Sequence, residues 1–265
     1  MTYGDITGGF RTVPKGGPAA PPYTRSDYEF NSNIDFKGQA RLNTKRYALV
    51  EQFNQAPLLN ADIAVNSNLD FEVLGTNMTS ALSTFCTTRG GIRLTTAGAD
   101  NDQAYVCPHL DTKQTAWTNV LWGTENQTVW ETIITTGDDI STGLLIFAGL
   151  KLTEDPTVTA DDDQAFFRFS TDDSDTNWEL VYSIGGTDTT ADSGVAVASS
   201  TQYKLRIDVD AARKAHFFID DVEVGVSTAL ANDIDLIPYT GIQALSSAAE
   251  FIEIHRISIS RIFYE

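Results

Sequence analysis

Carboxylates are the most abundant side chains here that could do chemistry, with 36 Asp and Glu residues against 18 Lys and Arg residues. Cleavage of a glycosidic bond needs two carboxyl groups, which lie about 5.5 Å apart when the anomeric configuration is retained. A strand that alternates acidic residues, as in Glu-x-Asp-x-Glu, would point them to one side, but this sequence has no such run. The nearest cluster, the DDVE stretch at 220–223, lies at a predicted hairpin corner, where its side chains would diverge into solvent. We interpret it as an ordinary turn.

Histidine-assisted nucleophilic catalysis would require a serine, a histidine and a carboxylate within mutual reach. The three histidines are His109, His216 and His255. No Gly-x-Ser-x-Gly elbow accompanies them, since Ser193 precedes a glycine but follows Ala191-Asp192. Each histidine fits a structural role better than the role of a base. The sequence therefore predicts no catalytic residue, no cofactor and no enzymatic activity.

The two cysteines, Cys86 and Cys107, lie 21 positions apart without a Cys-x-x-Cys motif or a histidine at metal-ligand spacing. The first 18 residues lack the apolar core of a signal peptide, which favours synthesis in a reducing compartment. We therefore expect buried thiols on neighbouring core strands, with a disulfide as the alternative.

Calcium is the metal ion that the acidic loops would suit. The DSDTN stretch, with Asp173, Asp175 and Asn177, has the Asp-x-Asp-x-Asn start of a calcium-binding loop. However, Trp178 stands where such a loop has glycine, and Ile184 stands where it has the closing glutamate. Solvated acidic turns are the favoured interpretation, so we expect no metal and keep these three residues as the calcium candidate.

Exposed aromatic side chains beside polar loops would point to carbohydrate binding. Trp130 and Trp178 lie within alternating apolar and polar runs and are predicted to be core residues. Trp117 and Trp122 lie in a less regular connection. Either of these two could be exposed or packed against the edge of the fold, and packing is the favoured alternative.

Charge divides the chain into two parts. Residues 1–50 hold seven basic and four acidic residues, whereas the remaining chain holds 11 basic and 32 acidic residues, a net charge of −21. Such an acidic body would repel phosphates and anionic membranes, so nucleic acid is excluded as the main partner. No apolar run approaches the roughly 20 residues of a membrane span, so we expect no membrane insertion.

The first 57 residues are predicted to form an extended arm with little regular structure, because glycines and prolines interrupt them repeatedly. A short helix over 41–53 is compatible with the sequence. Aromatic and basic residues at wide intervals suggest anchors for another surface. Three interpretations stay open: a disordered leader, folding back on the chain's own body, and docking on a neighbouring subunit, which we favour. The anchor candidates are Phe10, Arg11, Tyr23, Arg25, Tyr28, Phe30, Phe36, Arg41, Arg46 and Tyr47.

Short strand-like runs with polar turns between them recur from residue 58 to residue 265. The clearest are 164–170, 178–184, 203–209, 215–219 and 251–262, and the phase of the last changes at His255-Arg256, which indicates a β-bulge. No helical period persists. The predicted fold class is all-β, an antiparallel jelly-roll sandwich over residues 58–265 that follows the arm.

The succession WETIITTG, LLIFAGLKL, QAFFRFSTDD, NWELVYSIGG, TQYKLRIDVD and AHFFIDDVEVG between Trp130 and Gly225 resembles the concanavalin-like (laminin-G-like) jelly roll. In that family the final hairpin, here AHFFIDDVEVG, is a structural signature and not a catalytic one. The resemblance implies the fold and leaves the ligand open.

A narrower resemblance, carried by NSNLDFEVLGTNMTSALSTF, GGIRLTTAGADNDQAYVCPH and FAGLKLT, is to decoration (cement) or head-fibre proteins of tailed bacteriophages. It implies a non-enzymatic virion protein, made in the host cytoplasm and displayed on the outer capsid surface. Its expected partners are the major capsid protein, bound by the arm, and further copies of itself, with a trimer favoured over a dimer. The alternative is a lectin-like module that binds surface glycans, with or without calcium.

Overall fold

A computed structural model describes residues 46–54, 58–59, 71–108 and 121–262. These residues form seventeen β-strands and almost no helix. In chain order the strands are Arg46–Glu51 (β1), Leu58–Leu59 (β2), Phe71–Leu74 (β3), Ser83–Phe85 (β4), Ile92–Thr95 (β5), Gln103–Pro108 (β6), Trp122–Gly123 (β7), Val129–Thr136 (β8), Leu144–Lys151 (β9), Gln164–Ser170 (β10), Asn177–Ile184 (β11), Thr187–Ala196 (β12), Gln202–Val209 (β13), Lys214–Ile219 (β14), Val222–Ala229 (β15), Asp235–Ala244 (β16) and Phe251–Ile262 (β17). In the described part of the chain, no helix is long and apolar enough to span a membrane.

The strands form two sheets, which pack face to face. The eight-stranded sheet has the order β15-β14-β13-β8-β17-β5-β4, and β1 also pairs with β17. The nine-stranded sheet has the order β12-β11-β10-β9-β16-β6-β3-β2, and β7 also pairs with β16. All pairs are antiparallel except β2 with β3. The all-β jelly-roll sandwich predicted from the sequence is therefore confirmed.

Alternation along the strands explains why the core lies between the sheets. In β13, Tyr203, Leu205, Ile207 and Val209 are buried, whereas the residues between them are only partly buried. Side chains at every second position of a strand share one face, so this pattern directs the apolar side chains toward the opposite sheet. Trp130 and Trp178 are fully buried in this core, as predicted.

Strands with clear alternation, such as β13 and β17, were predicted well, and β12 and β16, which lack it, were missed. The bounds of β10 and β17 agree with the prediction, and the register of β17 against β8 shifts between Ile254 and Arg256, which confirms the bulge. In contrast, β16 contains Pro238 and Gly241 and is buried on both faces, so it shows no alternation. The sequence of β12, TDTTADSGVA, shows no regular alternation of apolar and polar residues.

The sandwich begins before residue 58. Strand β1 lies within the segment predicted to be an extended arm, and it pairs with β17 from Arg46–Ile262 to Glu51–Ile257. The helix considered for 41–53 is wrong for the residues that form this strand. The local sequence does not decide between helix and strand here. Burial of Leu49 in the core stabilises the strand.

Candidate functional site

The outward face of the nine-stranded sheet carries aromatic side chains on its central strands. Tyr105, Phe147, Phe166 and Tyr239 form this aromatic cluster, and all four are buried. The rings of Phe147 and Tyr239 stack with centroids 5.0 Å apart, and the ring of Tyr239 lies 6.3 Å from that of Phe166. Gly149 lies between Tyr239 and Phe166 in the register. A Cβ atom at Gly149 would lie 2.5 Å from Phe166 Cα, so glycine permits this close approach.

A polar row borders the aromatic cluster. Lys151, Gln164, Ser183 and Asp188 occupy consecutive register positions across β9, β10, β11 and β12. Gln164 Nε2 donates to Ser183 Oγ at 2.5 Å, and Ser183 Oγ donates to Asp188 Oδ1 at 2.5 Å. This network links β10, β11 and β12 along the row, and Gln164 Oε1 is buried without a hydrogen-bond partner among the described residues.

The segment 152–163 lies against the same face and closes it. Lys151 is fully buried, and its Nζ donates to the Thr157 carbonyl at 2.7 Å and lies 3.6 Å from Asp161 Oδ2. Burial lowers the pKa of Lys151, and Asp161 opposes this shift. Thr153 donates to Asp161 through its backbone N–H and its hydroxyl, at 3.0 Å and 2.9 Å. The segment is thus attached to the face by buried polar contacts.

Tyr239 is the polar group of this face whose hydrogen-bonding needs are least satisfied. Its hydroxyl is buried and has no hydrogen-bond partner among the described residues. Burial raises the pKa of Tyr239 well above its ordinary value, so the phenol stays protonated. In this structure the aromatic cluster forms a second packed layer on the outward face of the nine-stranded sheet.

The calcium candidate residues have other partners in the structure. Asp173 and Asp175 both pair with Arg168, at 3.1 Å and 3.3 Å. Asn177 Nδ2 donates to both carboxylate oxygens of Asp192, at 2.9 Å and 3.0 Å. Within the described ranges, no group of three or more His, Cys, Asp or Glu side chains is placed to hold a metal ion. Asp173 and Asp175 therefore organise a turn around Arg168, and Asn177 links β11 to Asp192 of β12.

The tryptophan considered for carbohydrate binding is not available to a ligand. Trp122 is only 1% exposed, and its ring lies 5.9 Å from the ring of Tyr47. The exposed alternative for Trp122 is therefore wrong, because the short strand β7 places it against the core beside β1. Trp117 and His109 lie outside the described residues.

Two of the ten arm anchors lie within the described residues, and both contact the chain's own sandwich. Arg46 Nη2 donates to the Gln127 carbonyl at 2.6 Å, and Arg46 Nε donates to Ser260 Oγ at 3.1 Å. Tyr47 contacts Trp122, as above. The other eight lie outside the described residues: Phe10, Arg11, Tyr23, Arg25, Tyr28, Phe30, Phe36 and Arg41. Docking of the arm on a capsid subunit stays a prediction, as do the trimer and the virion location.

An open groove lies on the other sheet, where β4, β5, β8 and β17 end. It consists of two adjoining cavities of about 250 Å³ and 470 Å³. Arg89, Arg93 and Glu253 line both cavities, so these three side chains stand between them. The smaller cavity is also lined by Thr135, Thr136, Asp138, Ser200 and Phe251, and the larger by Thr84, Phe85, Cys86, Thr87 and Thr88. We call this the arginine groove.

The side chains of the arginine groove combine aromatic rings with fixed polar groups. Arg93 Nη2 lies 2.7 Å from Glu253 Oε1, and its guanidinium lies 4.1 Å from the centroid of the Phe251 ring. Ion pairing and stacking hold this guanidinium in one orientation. Phe85 is 51% exposed, which is unusual for a phenylalanine on a strand. Such a combination provides an apolar platform with hydrogen-bonding groups at its edges.

The loop between β4 and β5 is held against β17. His255 Nδ1 donates to the Gly90 carbonyl at 2.6 Å, and Thr135 Oγ1 donates to His255 Nε2 at 2.8 Å. The bulge of β17 therefore positions a histidine that fixes this loop. The structural role predicted for His255 agrees with these contacts.

Both cysteines are free thiols, but the expectation of buried thiols on neighbouring core strands is wrong, because Cys107 lies on β6 of the nine-stranded sheet and Cys86 follows β4 of the other sheet. Cys107 is buried on the outward face of the nine-stranded sheet, and Cys86 is half-buried in the arginine groove. Burial and the nearby Glu253 raise the pKa of Cys86 to about 11. The thiol of Cys86 is therefore protonated at neutral pH and is a poor nucleophile.

The comparisons with known proteins identify a fold and no family. No family model and no curated protein match this chain. Alginate lyase A1-II', of polysaccharide lyase family 7, is 14% identical over 71% of this chain and 86% of its own, with a TM-score of 0.52. A family 16 endo-glucanase from Bacteroides ovatus is 8% identical over 80% and 99%, with a TM-score of 0.54. A protein of unknown function from Shewanella oneidensis MR-1 is 12% identical over 92% and 96%, with a TM-score of 0.54.

These similarities confirm the concanavalin-like jelly roll and correct one conclusion drawn from the sequence. The exclusion of enzymatic activity is wrong, because a lyase and a glucanase share this architecture and the fold is compatible with enzyme activity. The physical reason is that antiparallel strands bring together side chains distant in sequence, so a missing one-strand motif excludes little. The resemblance to tailed-phage virion proteins has no support among these comparisons.

Proposed function

We propose that the protein binds carbohydrate in the arginine groove. The observation that carries this proposal is an open groove in which the exposed Phe85 lies among hydroxyl groups and an oriented Arg93–Glu253 pair. A sugar ring has an apolar C–H face and a rim of hydroxyls. An aromatic ring can pack against that face, while charged side chains form the stronger hydrogen bonds to the rim.

The two cavities suggest a ligand longer than one sugar. Arg93 and Glu253 line both cavities, so a ligand unit on either side can reach the same pair. A chain that spans the groove would engage Phe251 at one end and Phe85 at the other. The fold shared with a polysaccharide lyase and an endo-glucanase supports the choice of carbohydrate over other ligands of similar polarity.

The test is a glycan array followed by calorimetry with the best oligosaccharide. Arg93→Gln is expected to weaken binding about tenfold or more, because a charge-assisted hydrogen bond contributes about 1.5–3 kcal/mol. Arg206→Gln is the matched control, since Arg206 lies 4.0 Å above the Phe218 ring on the same sheet, away from the groove. Its binding should equal that of the wild type.

The proposal is wrong if no oligosaccharide binds, or if Arg93→Gln and Phe85→Ser bind as tightly as Arg206→Gln. Incubating each bound oligosaccharide with the protein and measuring new reducing ends and unsaturated products separates binding from cleavage. Either result is compatible with the proposal, which concerns the place and the class of the ligand.

A further inference from the structure

The two cavities of the arginine groove differ in charge. In the larger cavity Arg93 is paired with Glu253, so Arg89 contributes a net positive charge. In the smaller cavity Asp138 balances that charge. Arg89 forms no ion pair with any carboxylate of the described residues. An uncompensated guanidinium is notable in a chain of net charge −18.

The backbone that carries Arg89 is held in place. Gly90 N donates to the Cys86 carbonyl at 3.0 Å, and Cys86 N donates to the Gly91 carbonyl at 2.9 Å, which closes a tight turn. Gly91 has φ +97° and approaches β17 so closely that a Cβ atom there would lie 2.3 Å from the Ile254 carbonyl oxygen. Glycine is therefore required at this position, and it fixes the turn to the sheet.

Resting on the proposed function, we propose that the larger cavity selects an acidic sugar, one that carries a carboxylate or a sulfate ester. A guanidinium presents parallel N–H groups that match the oxygens of either anion, and no carboxylate of the described residues forms an ion pair with Arg89. Phe85 packs against the ring of the same sugar. The smaller cavity, which is balanced in charge, takes a neutral unit.

The experiment compares matched pairs of sugars that differ only in the acidic group: oligogalacturonate with its methyl ester, and sulfated with unsulfated galactose oligosaccharides. Calorimetry on the full chain should show at least one acidic member binding roughly tenfold more tightly than its neutral partner, with the preference reduced at high salt. Arg89→Gln should abolish the preference, and Arg89→Lys should retain part of it. Arg206→Gln should leave it unchanged.

The outcomes separate this inference from the proposed function. If neutral members bind as tightly as acidic ones and Arg93→Gln weakens both, the groove binds carbohydrate and the acidic preference is wrong. If acidic members bind more tightly but Arg89→Gln keeps the full ratio, the assignment to Arg89 is wrong. If no sugar of either kind binds, both proposals are overturned.

Discussion

The two sheets of this sandwich have opposite outward faces. On the nine-stranded sheet, the aromatic cluster and Lys151 are buried beneath the segment 152–163. On the eight-stranded sheet, the arginine groove leaves Phe85 exposed and Arg89 unpaired among the described residues. Both faces contain aromatic and charged side chains. What distinguishes them is access: the aromatic cluster and Lys151 are buried, whereas Phe85 and the other lining residues of the arginine groove face an open cavity.

The largest difference between the two faces is expected when a phenylalanine on each face is replaced by alanine. Phe166→Ala removes a fully buried ring from the aromatic cluster and should lower the free energy of unfolding by about 3–5 kcal/mol. Phe85→Ala removes a half-exposed ring and should cost less than about 1 kcal/mol. Urea denaturation of both variants measures the difference. Equal losses would show that the aromatic cluster is not a packed layer.

Substitution of Lys151 tests whether its pairing with Asp161 stabilises the closed face. Lys151→Met leaves the buried Asp161 carboxylate without its cation and should lower the free energy of unfolding by about 3 kcal/mol. The double variant with Asp161→Asn should recover part of that loss, because it no longer contains an unpaired buried carboxylate. If Lys151→Met is as stable as the wild type, the Lys151–Asp161 pair does not hold the segment 152–163 in place.

The stability contributed by Lys151 should also depend on pH. Burial lowers its pKa in the folded state, so between that value and the ordinary value near 10.4 the unfolded chain binds more protons than the folded chain. Stability relative to Lys151→Met should therefore rise as the pH rises through this window.

The smallest effect is expected in the alkylation rates of the two cysteines, which can be measured on the wild-type protein. Cys86 should react slowly with iodoacetamide at pH 7.5, and its rate should rise about tenfold per pH unit below its pKa of about 11. Cys107, buried on the closed face, should stay unlabelled while the protein is folded. Mass spectrometry of the intact protein and its peptides follows both sites. Comparable rates at the two cysteines would contradict the assignment of one open and one closed face.

The sequence predicted the layers of the fold because alternation is a local signal. The hairpin at 203–219 shows buried and less buried residues in strict succession, and both of its strands were found. Strand β16 was missed because it lacks alternation and also contains Pro238 and Gly241, residue types that are uncommon inside strands. Strand β1 was assigned to the arm because its six residues acquire their conformation from pairing with β17.

The arginine groove could not be predicted, because no stretch of sequence contains it. Its lining residues come from 84–93, 135–138, Ser200 and 251–253, which are separated by up to about 170 positions. The only local signal was the Thr-Thr-Arg-Gly-Gly run, whose glycines predict a turn. The tryptophans and acidic clusters, which are the more conspicuous features of the sequence, have other roles: Trp122 is buried, and Asp173 and Asp175 pair with Arg168.

The position of β16 and β17 has a consequence for how the chain folds. Both strands lie in the interior of their sheets, yet they are formed by residues 235–262, the last described part of the chain. A nascent chain on the ribosome, before these residues emerge, can hold only partial sheets with unpaired edges. Pairing of β17 with β8 and of β16 with β9 joins strands that are distant in sequence, and such distant pairing is slow. We therefore expect closure of the two sheets around β16 and β17 to be a late step in folding.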